Sequence, residues 1–472
     1  MFGARNIAYE VAERARAIDC GGLGAFHQLA RRSGLIAAID RGLHLLKIHK
    51  PYHESDHVLN LAYNTLTGGT CLDDIELRRQ DEGYLDALGA QLIPDPTTAG
   101  DFARRFSESE VLALMAAVNE VRVRIWRARL KVEERAEAIL DVDGVLAPTT
   151  GECKGGMDMA YNGVWGYHPL VVSLANTGEP LYLVNRPGNR PSHEGAAEWL
   201  ERAVALTRQA FARVILRGDT DFSLTANFDR WTAAGVGFAF GMDAQPNLIK
   251  LAEGLEPGEW RELQRPATPS AESRRRPEQV KERIVIERGY ENLRLEREWV
   301  AEFTYRPTKC ARPYRLIALR KDLTGSKGQK LLWRETRYFF YISNLEEPTT
   351  EEVVFFCNER CNQENLIEQL KNGLNALRMP VGDLVSNWAY MVMAALAWTL
   401  KAWFALLTPQ RRRRAELLRM EFRRFLNCLV RVPAQIIKSG RRIIFRLLGY
   451  NDWLPTLLKT FKRIRALPAP SG

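Results

Sequence analysis

Four carboxylates and two cations are the residues of this sequence whose types and spacing could do chemistry. Asp141 and Asp143 stand two apart in Ala138-Ile139-Leu140-Asp141-Val142-Asp143-Gly144-Val145. That alternating run predicts a strand, so both side chains leave the same face and can meet a common metal ion. Asp219 follows Val214-Ile215-Leu216 in Arg217-Gly218-Asp219-Thr220-Asp221-Phe222, at a strand end, where α/β sheets build their sites; Asp221 is a weaker substitute for it. Glu364 lies in a strongly helical stretch that begins at Cys357. Read as one helix, Arg360, Glu364, Glu368 and Lys371 form a single stripe, with Leu366, Leu370, Leu374 and Leu377 on the opposing apolar stripe. A carboxylate between cations can bind a divalent metal while Arg and Lys hold phosphates, which is what a metal-dependent phosphodiester enzyme needs. The plainer alternatives are a solvated helix face with ion pairs, and aspartates that merely form turns.

The elements that must position these groups follow from the hydrophobic period. Residues 1–130 read as a helical N-terminal domain: Leu43–Leu46, Val58–Ala62 and the run from Asp101 to Leu130 have helix-like spacing, and Thr98 is placed to cap the last of them. Residues 131–255 switch to strands at 138–145, 167–174 and 181–184. Helix, strand, helix and strand then follow near 194–210, 214–216, 224–234 and 237–240, an α/β layout with a mixed sheet. Residues 256–350 read as a polar linker, including Arg274-Arg275-Arg276-Pro277, and then a β-rich insertion with strands near 300–305, 314–319 and 338–342. Residues 351–407 return to the core with the Glu364 helix, and residues 408–472 read as basic amphipathic helices.

Charge is unevenly distributed. Residues 401–472 hold 17 Lys/Arg against 3 Asp/Glu, an excess of 14, whereas the whole chain carries +10. The positive charge is therefore a C-terminal property, suited to nucleic acid or an anionic membrane surface. Leu384–Leu400 is uncharged and close to the length of a membrane span, but Ser386, Asn387 and Thr399 interrupt it and Lys401 follows, so a buried helix is expected. The rival is a membrane-associated protein whose polybasic tail binds anionic lipid. Seven cysteines without framework spacing fit a reducing cytosolic setting, and Met1–Arg5 shows no secretory signal.

The order strand Asp, strand-end Asp, helix Glu resembles the DDE transposases of bacterial insertion sequences. Arg360-x-x-x-Glu364-x-x-x-x-x-x-Lys371 is similar to the Tyr-Arg-Glu-Lys signature of the cut-and-paste branch, which carries a β-rich insertion before its Glu. Leu140–Asp143, Gly166–Leu170, Arg186–Asn189 and Leu216–Asp219 look like the core blocks of that family; Cys357 stands where the signature has Tyr. The resemblance implies an RNase H-like mixed sheet with helices on both faces, interrupted by the insertion and flanked by the helical N-terminal and basic C-terminal regions. It implies Asp143, Asp219 and Glu364 as ligands of two Mg²⁺ ions, for which Mn²⁺ can substitute, with Asp141 as the alternative first ligand. Arg360 and Lys371 would contact DNA phosphates. The partner would be double-stranded DNA, both terminal inverted repeats and target, engaged by a homodimer in a cytoplasmic, nucleoid-associated setting without stable membrane association. A catalytically inactive, end-binding descendant is the variant reading.

Overall fold

The computed structural model describes residues 16–151, 153–265, 291–327, 330–440, 442–449 and 451–468. The chain forms two units that interleave along the sequence: Met1–Arg135, Gly144–Arg190 and Asn365–Gly472 make the first, and Ala136–Asp143 with Pro191–Glu364 make the second.

The first unit is built around the helix Leu384–Leu407. Its composition would suit a bilayer, yet its most apolar window is wholly buried among the helices Leu23–Arg32, Glu54–Leu66, Glu108–Arg129 and Arg411–Arg419. Asp383 caps it by accepting from the Ser386 N–H at 2.9 Å. Lys401, 1 % exposed, is accommodated because Nζ donates to the Leu418 carbonyl at 3.0 Å and lies 3.7 Å from the Trp398 ring centroid. Burial pushes this ammonium down to about 7. Nearby, the fully buried Glu179 accepts from Arg122 Nε (3.0 Å), Trp126 Nε1 (2.8 Å), Thr177 Oγ1 (2.7 Å) and Trp403 Nε1 (2.9 Å). Three helix or loop segments are thereby tied to the strand Glu179–Val184, which pairs antiparallel with Leu170–Leu174.

Several sequence expectations for this unit need correcting. Leu43–Leu46 is irregular, and the run expected as one helix to Leu130 is two, Pro96–Ala103 and Glu108–Arg129. Asp95, not Thr98, caps the first by accepting from the Thr98 N–H at 2.8 Å, with Pro96 at the position where its missing N–H costs nothing. The basic C-terminal region is not all helical. Ala434–Ser439 and Arg442–Leu447 form a hairpin that adds to Arg16–Ile18, turning at Gly440 with φ +58°. The β-branched pairs Ile436-Ile437 and Ile443-Ile444 outweigh the arginine spacing there.

In the second unit seven strands lie in the order Arg261–Glu262, Glu291–Tyr305, Tyr314–Lys327, Lys330–Ser343, Val236–Met242, Arg213–Gly218, Glu137–Gly144. The last three run parallel, and the rest pair antiparallel. The β-rich insertion thus continues the sheet through Phe340↔Met242 to Ser343↔Ala239. Arg261–Glu262, expected in the linker, is an edge strand against Val300 and Trp299; Arg274–Pro277 lies outside the described residues. On one part of the sheet Phe228 stacks on Phe238 at 4.3 Å between centroids, with Tyr314 edge-on. Elsewhere the helix Thr350–Asn358 sets Val353, Val354 and Cys357 against Ala239, Val300, Ile317 and Leu319.

Candidate active site

Sheet register brings the two strand aspartates together. Glu137–Gly144 and Arg213–Gly218 are parallel neighbours with Asp141 opposite Arg217, so Asp143 and Asp219 each lie two residues beyond a matched pair. A spacing of two keeps a side chain on the same face. The matched pair itself is a buried ion pair: Arg217 Nε meets Asp141 Oδ1 at 2.6 Å and Nη2 meets Oδ2 at 2.9 Å, with both side chains 1 % exposed. Arg217 Nη1 also donates to the Phe356 carbonyl at 2.7 Å, and its guanidinium lies 4.8 Å from the Phe356 ring centroid. Burial pushes the Asp141 carboxyl above its usual range against the pull of Arg217. Both of its oxygens are thus committed to structure.

Asp143 and Asp219 remain at the rim. Asp219 caps the turn Thr220–Phe222, its Oδ1 accepting from the Asp221 N–H at 3.0 Å. Its Oδ2 faces Arg360 Nη1 at 3.1 Å, and the same nitrogen lies 3.2 Å from Asp143 Oδ2. Arg360 Nη2 reaches Glu364 Oε1 at 3.4 Å. Three carboxylates from three separate elements therefore gather on one guanidinium. Side-chain exposure rises from 17 % at Asp143 through 32 % at Asp219 to 59 % at Glu364, so the cluster opens to solvent on the Glu364 side.

The single helix expected from 357 onward is interrupted where this matters. Thr350–Asn358 ends, the N–H groups of Arg360, Asn362 and Gln363 bond three residues back, and a second helix runs Cys361–Glu368. Arg360 sits at that joint. Gln369–Gly373 then widens to a π turn, closed by Leu374 N–H on the Gln369 carbonyl at 2.8 Å. Leu366, Leu370, Leu374 and Leu377 are buried as expected. Lys371 is exposed in the π turn, whose wider winding breaks the 3.6-residue period, so the stripe of four charges is not continuous. Cys357 is a core residue whose thiol burial pushes up to about 12. Sequence reasoning missed Arg217, although its offset from Asp219 repeats that of Asp141 from Asp143.

Burial raises the Asp219 carboxyl above its usual range; Arg360 opposes this, the Asp221 carboxylate adds to it, and the Asp221 N–H opposes it. A raised carboxyl holds its proton to a higher pH, so protons compete with a metal ion for Asp219 more strongly than at an ordinary Asp, and this competition sets the acid limb of metal-dependent activity. Asp221→Asn should move that limb to lower pH in a pH–rate profile. Glycine at 241 is a second constraint on Asp219: a Cβ there would stand 3.0 Å from Thr220 N and 3.2 Å from Asp219 C. Gly241→Ala is expected to displace the Asp219 turn and slow turnover by about 10-fold or more, with little change in melting temperature. Paired rate and melting measurements check this.

Three carboxylates offer hard oxygen donors of the kind a divalent metal ion takes, and the Arg360 guanidinium occupies the position between them. A family model described as transposase DDE domain group 1 matches residues 16–469. No curated protein matches the chain. Among solved structures, the chain is similar to a piggyBac transposase synaptic complex with hairpin DNA at 10 % identity and TM-score 0.37, covering 95 % of this chain and 86 % of that one.

Proposed function

The chain belongs to the transposase DDE domain group 1 family and is a DDE-type DNA transposase, and from that premise we propose that Asp143, Asp219 and Glu364 are the residues that hold its metal ions. The observation that carries this reading is the convergence of the three carboxylates on Arg360. Two Mg²⁺ ions, or Mn²⁺ in their place, would supply activation of water or a 3′-hydroxyl and stabilisation of the leaving oxygen. Asp143 is the first ligand in this proposal because Asp141 is spent on Arg217. Asp221 contributes its backbone N–H, which fixes Asp219 Oδ1 and leaves Oδ2 directed at the cluster. Arg360, once its three carboxylates are otherwise neutralised, turns to a DNA phosphate, for which its forked donors suit it. The RNase H-like arrangement belongs to the same reading, supported by the Leu170–Leu174 hairpin followed by alternating helices and the parallel strands Arg213–Gly218 and Val236–Met242. The substrate is the terminal inverted repeat of an insertion sequence, cut and joined to target DNA by a homodimer at the nucleoid. Incubating duplexes that end in the repeats flanking this gene with Mg²⁺ tests it: nicking at the repeat boundary that chelator abolishes is expected, and its absence from every flanking repeat would overturn the reading.

Two further results are expected. Arg360→Ala should slow cleavage of pre-bound ends, and its melting temperature should fall without metal and recover with Mg²⁺, because three carboxylates then repel one another unless a cation joins them. Lys371→Ala, at an exposed site, should likewise slow cleavage of pre-bound ends if Lys371 contacts a DNA phosphate, and leave melting unchanged; a change in cleavage of no more than a few-fold would remove it from the DNA contact. The basic C-terminal region cannot be tested by deletion, since Leu417, Phe422, Phe425, Leu426, Leu429 and Val430 are core. Exposed Arg411, Arg412 and Arg423 can be changed to Ala instead. If they contact phosphates, each should lower the slope of log K against log salt by about 0.9. Filter-binding across a salt series measures this.

A further inference from the structure

Four of the seven histidines, His44, His49, His53 and His57, fall within residues 44–57, a stretch for which the transposition chemistry gives no use. His57 is accounted for by packing, stacked on Phe102 at 4.4 Å. His49 and His53 are not. They lie on the exposed connection between the helices Leu35–Gly42 and Glu54–Leu66, with their rings stacked at 5.3 Å and 24°. Beside them Glu54, 1 % exposed, is held in a fixed orientation: Oε1 accepts from the N–H groups of Leu45 (3.1 Å) and Leu46 (3.0 Å), and Oε2 lies 3.3 Å from His49 Nδ1. One donor atom from each of the three lies within 4.8 Å of the others.

We infer that His49, His53 and Glu54 form a binding site for a first-row transition cation of the Zn²⁺ class, held by the helical unit independently of the catalytic carboxylates. Metal–ligand bonds of about 2.0–2.1 Å at tetrahedral angles place donor atoms about 3.3 Å apart, the separation found between His49 Nδ1 and Glu54 Oε2. The remaining spacings, none above 4.8 Å, then have to close by at most about 1.5 Å, which a turn of an exposed imidazole can supply. Two imidazoles and one carboxylate select Zn²⁺, Co²⁺ or Ni²⁺ over Mg²⁺, which takes oxygen donors. The backbone bonds to Glu54 Oε1 do what outer-sphere partners do in built metal sites, orienting the ligand before the ion arrives. Three protein donors leave at least one position open, and a bound ion would fasten the connection to the start of Glu54–Leu66.

The test uses the full chain stripped with chelator and titrated with Zn²⁺ and with Co²⁺ in millimolar Mg²⁺ at pH 7.5, alongside the His49→Ala/His53→Ala double variant and Asp143→Asn. Both substituted histidines are exposed, so the double variant is expected to fold, and its melting temperature without metal checks this. Expected are one equivalent of Zn²⁺ more in the wild type than in the double variant, unchanged stoichiometry in Asp143→Asn, and visible Co²⁺ bands lost with the histidines. The difference measurement removes any contribution from the seven cysteines. Equal stoichiometry in wild type and double variant would overturn the proposal and leave only the contact between His49 and Glu54. So would a wild-type equivalent that Mg²⁺ displaces.

Discussion

Asp143→Asn, Asp219→Asn and Glu364→Gln each lower metal-dependent strand cleavage by about 10³-fold or more, while binding of element ends stays within a few-fold. The expected size follows from the several kcal/mol of charge stabilisation that a positioned cation supplies, at 1.36 kcal/mol per factor of ten in rate. Binding persists because each change removes negative charge and no phosphate contact. The three differ in their effect on stability. Asp219 also caps its turn through Oδ1, a bond Asn can keep, whereas Glu364 is largely exposed and contributes little to folding. Single-turnover cleavage of pre-bound ends, with end binding by gel shift and melting on the same preparations, makes the comparison. Full activity in any one variant would remove that residue from the metal site.

How much of this was legible in the sequence differs by residue. Asp143 and Asp219 could be paired from local pattern, since each ends an apolar strand and strand ends gather at one edge of a parallel sheet. The choice between Asp141 and Asp143 could not, because it depends on which of two residues on one face meets Arg217 across the register, a tertiary fact. The Glu364 helix was legible from its leucine stripe, but its joint was not. Nothing at 358–360 breaks a helix as Pro or Gly would, and the interruption shows only in the N–H groups bonding three residues back. That joint sets Arg360 at the start of the second helix, among the carboxylates, and the π turn Gln369–Gly373 then takes Lys371 off its stripe.

The C-terminal region and the apolar helix show the two directions in which tertiary context acts. Arginines spaced among Leu and Phe read as helix, yet Ile436-Ile437, Gly440 and Ile443-Ile444 were a hairpin signal of equal strength, decided by the edge of Arg16–Ile18 waiting to be paired. Leu384–Leu400 reads as buried because Ser386, Asn387 and Thr399 interrupt it and Lys401 follows, and in the helix Leu384–Leu407 each of these has its partner. Ser386 meets Asp383, Asn387 meets the Val381 backbone, Thr399 meets Arg122 and Lys401 meets Leu418. The histidines of residues 44–57 do carry a spacing, with His49, His53 and His57 four apart and His53-Glu54-Ser55-Asp56-His57 in the H-E-x-x-H pattern, but that pattern pairs the wrong two histidines: His57 packs on Phe102, and Glu54, fixed by backbone N–H groups of the connection, faces His49.

Asp141→Asn is expected to destabilise the second unit by about 3–5 kcal/mol, because it leaves the Arg217 guanidinium buried without a counter-charge. For a unit of this size that corresponds to a fall of about 10 °C in its melting transition. Asp143→Asn, two residues along the same strand, should lower melting far less, since Asp143 is only partly buried and its loss leaves Arg360 with Asp219 and Glu364. The pair thus separates support from chemistry: Asp141→Asn should act chiefly on stability, and Asp143→Asn chiefly on rate. Cleavage at a temperature where Asp141→Asn is still folded should be within about 10-fold of wild type. Replacing both partners, Asp141→Leu with Arg217→Met, should recover much of the lost stability, as exchanging a whole buried ion pair for apolar side chains commonly does. Glu359, 3.6 Å from Arg217 Nη1 but largely exposed, is too well solvated to replace Asp141 as the partner. If Asp141→Asn melts like wild type and cleaves no better than Asp143→Asn, the first metal ligand has been misplaced by two residues, and Asp141 takes the role assigned to Asp143.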